Sequence, residues 1–173
     1  MKKLVYVAAL AVLFGCAKEE KQKGFEINLD LTGEIVQVNT QTVIQDETNS
    51  NNYYSKVDSL SKYGFGYKIA LPDSLKEKNL KVVISADVKE TESITGEFII
   101  SINEPNMSNI YWGNRVVSGQ LRDLNTWKPF KDSITINSTQ NPKKNSSLYI
   151  FNSKFSGGGA FCVDNFKVKI FKQ

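Results

Sequence analysis

The chain has 173 residues, no histidine, two cysteines and four prolines. That length is one domain's worth. Without histidine there is no Ser-His-Asp or Cys-His nucleophile and no imidazole acid or base, and two cysteines cannot build an all-thiolate zinc site.

The N-terminus reads as an address. Lys2 and Lys3 precede an apolar run from Leu4 to Phe14. As a helix this run would cover roughly 16 Å, about half of a hydrocarbon core. It is too short to span and fits the h-region of a signal peptide over residues 1–15. The run ends in Leu13-Phe14-Gly15-Cys16, which resembles the lipobox of bacterial lipoproteins. The resemblance implies cleavage before Cys16 and lipidation of its thiol, and several acyl chains make such an anchor stable. Residues 16–24 then form the lipidated cysteine and a polar tether. Ala17 is not the acidic residue associated with inner-membrane retention, so the expected address is the outer membrane. The Lys18-Glu19-Glu20 cluster resembles the export signal of surface lipoproteins and favours the cell surface over the periplasmic face. The bland alternative is a solvated linker.

Removing residues 1–15 takes away Lys2 and Lys3 and no acid, which lowers the formal charge from +4 to +2. A near-neutral balance argues against nucleic acid, whose binders carry a basic stripe. It leaves the lipid as the expected membrane contact.

From Phe25 the pattern turns to period two. Phe25, Ile27, Leu29 and Leu31 alternate with polar residues, as in a half-buried strand. Thr32-Gly33 reads as a turn, and Glu34–Val38 and Val43-Ile44 as short strands. Residues 45–56 read as a polar loop. Val57, Leu60 and Tyr63 have helical spacing and predict a short helix over 56–63. Phe65–Leu71 is a strand with Phe65, Tyr67, Ile69 and Leu71 on one face. Pro72-Asp73-Ser74 closes it and starts at most one helical turn. Leu80–Val88, rich in β-branched residues, suits a central strand. Strands follow at Glu97–Asn103, Asn109–Trp112, Arg115–Ser118, Ser133–Asn137, Leu148–Asn152, Ala160–Val163 and Phe166–Phe171. In the last, Lys167, Lys169 and Lys172 point outward and read as guards against edge pairing. About ten short strands between turn residues predict an all-β sandwich or barrel, as one domain over 25–173. Cys162 has no partner once Cys16 is lipidated, so it reads as a buried, inert thiol.

Residues 127–171 narrow the fold. Trp127-Lys128-Pro129-Phe130 precedes a strand. Leu148-Tyr149-Ile150-Phe151-Asn152 leads through Gly157-Gly158-Gly159 to Phe161-Cys162-Val163-Asp164-Asn165-Phe166. This resembles the closing strands of galactose-binding-like jelly rolls found in carbohydrate-binding modules. The resemblance implies a single jelly-roll β-sandwich with a glycine-rich hairpin before its last strand. It also implies a structural calcium near Asp164, with Glu26 as its neighbour, since calcium takes hard oxygen ligands. Otherwise both are solvated or turn-capping acids.

Sugar binding needs an exposed aromatic face flanked by polar groups. Tyr111-Trp112-Gly113-Asn114-Arg115 has that composition. Trp112 is the candidate stacking residue, with Tyr111, Asn114 and Arg115 beside it. The competing expectation is a core indole. Trp127 reads as structural, covering a sandwich edge. Glu97, Glu104, Asp123 and Asp132 are the carboxylates from which a glycosidase pair would be drawn, at the separations such enzymes require. The reading is a non-catalytic, lipid-anchored envelope protein that binds glycan. A structural lipoprotein holding a partner protein is the alternative, and a small glycan-active enzyme the third.

Overall fold

The computed structural model describes residues 25–27, 36–70, 75–92, 94–106, 108–117, 123–141 and 146–173. These residues contain eleven strands: β1 (Phe25–Ile27), β2 (Val36–Val38), β3 (Val43–Gln45), β4 (Tyr53–Val57), β5 (Tyr63–Ile69), β6 (Leu80–Glu90), β7 (Ile94–Asn103), β8 (Asn109–Val116), β9 (Lys128–Ile136), β10 (Ser147–Gly157) and β11 (Phe161–Lys172). A 3-10 turn, Thr40–Thr42, precedes β3. No helix of the described residues is long and apolar enough to cross a membrane.

The strands form two antiparallel sheets. Sheet A runs β3-β4-β11-β6-β9, and sheet B runs β2-β5-β10-β7-β8. In sheet A, β6 lies along one side of β11, while β4 and β1 share successive lengths of the other. The chain changes sheet at most connections, as a jelly-roll sandwich requires. Alternation explains the packing. Val82, Ile84 and Val88 of β6, Val168 and Ile170 of β11, Phe98, Ile100 and Ile102 of β7, and Leu148 and Ile150 of β10 are all fully buried between the sheets. A buried polar link also joins them. The Ser55 hydroxyl on β4 donates to Asn152 Oδ1 on β10 at 3.0 Å and accepts the Phe65 N–H of β5 at 3.0 Å.

Several local expectations change. The helix over 56–63 is absent. Val57 closes β4 with its side chain fully buried, while Leu60 is 92% exposed. Asp58 makes the turn instead, accepting the N–H groups of Leu60 and Ser61 at 2.9 and 3.3 Å. Such Asx turns compete with helix locally. The loop expected over 45–56 is shorter, because Tyr53 already opens β4, which pairs with β3. The two strands expected around Gly113 are one, β8. A Cβ at Gly113 would strike Ile134 and the Tyr111 ring, so glycine here serves close packing, not a break. Likewise 160–163 and 166–171 fuse into β11, with a register shift between Asp164 and Lys167 and Asn165 at φ 47°. That is a bulge. The Gly157–Gly159 segment is no hairpin. It carries the chain from sheet B to sheet A, with Gly157 at φ 95°. The strand expected over 25–31 is described only over 25–27, and Thr32-Gly33 and Pro72-Asp73-Ser74 lie outside the described residues.

The reading of the β11 lysines requires a correction, whereas the burial expected of Cys162 is observed. β11 is not an edge strand, so Lys167 and Lys169 guard no edge; they stand mid-sheet. Cys162 is 2% exposed and free. Burial pushes its thiol pKa up, with Lys89 and Lys56 offsetting part of the rise. It shares the outer side of sheet A with its register partners Lys89 and Lys56. Trp127 packs on that side too, edge-on to Tyr54 at 5.5 Å, with the Lys89 ammonium 4.6 Å from its ring. It therefore covers a sheet face, not a sandwich edge.

Candidate functional site

The residues of β8 divide by alternation. Trp112 pairs with Ser101 of β7, and Asn114 with Ile99. Ser101 and Ile99 project away from the core formed by Phe98, Ile100 and Ile102, so Trp112 and Asn114 stand on the outer face of sheet B. Trp112 is 54% exposed. Tyr111 turns inward and packs against the core, and its burial pushes the phenol pKa up. Arg115 turns inward as well. Its Nε donates to the Ser133 carbonyl at 2.8 Å and lies 3.6 Å from an Asp132 oxygen. Both partners belong to β9, so Arg115 clamps the edge of sheet B to the edge of sheet A. The four residues expected as one cluster are thus two pairs on opposite sides of β8. Asn114 donates to Glu97 Oε2 at 2.7 Å.

Trp112 instead joins aromatic residues from other strands. Its indole lies edge-on to Phe151 of β10, with ring centroids 6.2 Å apart. Phe151 is edge-on to Tyr63 of β5 at 5.8 Å. Between β8 and β10 runs β7, and the small, buried Ser101 lets the indole reach across it. Tyr149, Val38 and Asn39 complete a groove of about 380 Å³. Tyr63 is 46% exposed. Two cations border the rings, with Lys62 Nζ 5.6 Å from the Tyr63 ring and Lys68 Nζ 5.8 Å from Tyr149. Such contacts hold both a ring and its cation in place. Asn39, left-handed at φ 55°, donates to the Gly64 carbonyl at 3.0 Å and fixes the groove's end.

Tyr63, Tyr149 and Phe151 were missed in the sequence reading. A signal existed for two of them. In Leu148-Tyr149-Ile150-Phe151 the aliphatic residues alternate with aromatic ones, which assigns Leu148 and Ile150 to the core and the rings to the other face.

The expected calcium pair does not assemble. Glu26 pairs with Lys169, whereas Asp164 pairs with Asp87. Five positions along β11 separate the two, roughly 16 Å at strand rise. Asp164 accepts hydrogen bonds from Asn52 Nδ2 at 3.0 Å and from the Asn165 N–H at 2.7 Å. Among the described residues no group of three acidic or thiol side chains is placed to hold a metal. Three of the carboxylates considered for hydrolysis are engaged by other side chains. Glu97 binds Asn114, Asp123 binds Lys128 at 2.8 Å, and Asp132 faces Arg115.

A groove of exposed rings bordered by ammonium groups suits binding through apolar contact and cation-assisted polar contact. Neither a protein-family model nor a curated protein sequence matches the chain. Among solved structures, it is similar to a xylan-binding domain, CBM22-1, of Paenibacillus barcinonensis Xyn10C at 14% identity, covering 76% of this chain and 80% of that one with a TM-score of 0.45. The xylan-binding module CBM15 is similar at 13% identity over 86% of this chain and 97% of that one, TM-score 0.47. A family 16 carbohydrate-binding module is similar at 14% identity over 73% and 84%, TM-score 0.43. The likeness is one of fold, and a fold hosts many functions.

Proposed function

We propose that the protein is a non-catalytic glycan-binding module, held to the outer membrane by lipid on Cys16 and facing the cell surface. The observation that carries the binding reading is the ring series Trp112–Phe151–Tyr63 on an open sheet face. Exposed aromatic rings are costly to leave in water, and they match the apolar faces of pyranose rings. Tyr149 and Asn39 supply polar atoms at the groove's border.

The test is a glycan array probed with the full chain in a neutral polyoxyethylene detergent, which presents no sugar of its own. Binding to a subset of glycans is expected. Trp112→Ala should weaken it about thirtyfold, the loss of an aromatic anchor worth about 2 kcal/mol. No glycan bound, or affinity unchanged by that substitution, overturns the reading.

Val36, 63% exposed on the edge strand β2, favours the second reading, capture of an envelope protein along a sheet edge. Co-purification of one stoichiometric protein, with no glycan bound, would establish it instead. The anchor is tested separately. Labelled palmitate should enter the wild-type protein and fail to enter Cys16→Ala, which should be released to the soluble fraction. Label retained by that variant removes the anchor from the proposal.

A further inference from the structure

The outer face of sheet A, on the far side of the sandwich from the aromatic groove, carries a different chemistry. Lys81 of β6, Lys131 of β9, and Lys167 and Lys169 of β11 line a depression of about 730 Å³. Its lining holds one carboxylate, Asp132, and that group is already 3.6 Å from Arg115 Nε. Lys169 stands in register with Glu26 of β1. Among the described residues Lys81, Lys131 and Lys167 form no ion pair.

Position makes the concentration of charge informative. β6 and β11 are interior strands of the sheet, so these lysines block no edge-to-edge pairing. Like charges gathered on one face repel each other, a cost that an anionic ligand would remove. The net charge near neutrality conceals this arrangement; the nearest further acid, Asp87, lines the adjoining depression with Lys131 and Lys167 and accepts a hydrogen bond from Asn165 Nδ2 at 2.8 Å.

We infer that this face is a second binding site, for an acidic polysaccharide bearing carboxylate or sulfate groups. The register sets the spacing. Lys167 and Lys169 are two residues apart on one strand, about 6.6 Å. Lys131 and Lys167 flank Ser85, two strand spacings or about 10 Å apart. A linear polymer with repeated anionic groups reaches several of these at once. The site is a trough, with the hydroxyls of Ser85 and Ser133 in its lining. A polymer chain enters a trough and hydrogen-bonds there, whereas a planar layer of lipid headgroups meets only its rims. The shape therefore favours polysaccharide over membrane.

The full chain in the same neutral detergent is titrated with polygalacturonate, dextran sulfate and neutral dextran. In a fourth arm the detergent is diluted below its micellar concentration and vesicles of phosphatidylglycerol and of phosphatidylcholine are compared, because lipid on Cys16 would enter both. At least one anionic polymer should bind, neutral dextran should not, and affinity should fall as salt rises from about 50 to about 300 mM. The triple variant Lys81→Gln/Lys131→Gln/Lys167→Gln should bind about tenfold more weakly, and the matching arginine variant should bind like the wild type. These side chains are exposed, and the salt dependence of the unaltered chain tests the same point without any variant. Trp112→Ala should leave this binding unchanged, which separates failure here from failure of the aromatic face. The inference is overturned if neither anionic polymer binds at low salt, if the triple glutamine variant binds equally well, or if a preference for phosphatidylglycerol over phosphatidylcholine vesicles is the sole anionic binding.

Discussion

Gly66→Ala should destabilise the protein by about 3 kcal/mol. A methyl in place of hydrogen within a strand ordinarily helps, because glycine is entropically costly there. Here the sign reverses. Gly66 lies on β5 opposite Phe151 of β10, and a Cβ at that position would fall on the Phe151 Cβ and within 2.5 Å of the Ile150 carbonyl oxygen. Neither obstacle is the far end of a flexible side chain. Both belong to a strand paired on its two sides, so relief requires moving backbone in the middle of sheet B. Urea denaturation checks the expectation, as a lowered midpoint with an unchanged slope. A loss below about 0.5 kcal/mol would show that the two strands part at little cost. The same glycine positions the candidate site. Phe151 is the central ring of the series, and its Cβ sits over Gly66 because Gly66 has no side chain. Residual folded Gly66→Ala protein should therefore also bind glycan less well.

That dependence shows why the site was only partly legible in the sequence. Alternation identifies which residues of a strand share a face. It placed Phe65, Tyr67 and Ile69 on one side of β5, and all three are buried. The same rule, applied to Tyr111–Arg115, separates Trp112 and Asn114 from Tyr111 and Arg115, since neighbours on a strand point oppositely. Reading that segment as one cluster by composition set its periodicity aside. What alternation does not supply is which strands pair. Trp112, Phe151 and Tyr63 meet because β8, β7, β10 and β5 lie side by side, an order set by long-range packing. The lysines of β11 make the same point. Their alternation marks an exposed face, and only the pairing with β4, β1 and β6 shows that the strand is interior. The bulge at Asp164-Asn165 likewise presents itself locally as the end of one strand and the start of another.

Phe98→Ala should cost about 4 kcal/mol, within the range for emptying an aromatic core position. Phe98 is fully buried on β7 of sheet B. Its ring stacks on Phe130 of β9 and Phe166 of β11, each with centroids 5.2 Å away, and meets Phe161 edge-on at 6.0 Å. All three neighbours belong to sheet A, so this ring carries much of the contact between the two layers. Truncation removes the transfer energy of the ring and leaves a cavity whose walls are other rings held by paired strands. Those walls close poorly, which keeps the loss from falling to the lower end of the range. Phe98→Leu refills part of the space and should cost about half as much. Denaturation of both variants measures the pair, and equal losses would mean that the volume at this site matters less than the ring geometry. Sheet B has two independent sides at this strand. Phe98 faces the core, while its neighbours Glu97 and Ile99 face outward, where Glu97 accepts from Asn114 and Ile99 stands opposite Asn114 on β8. The folded fraction of Phe98→Ala should therefore retain its affinity for glycan, in contrast to Gly66→Ala, where the substitution displaces a ring of the groove itself.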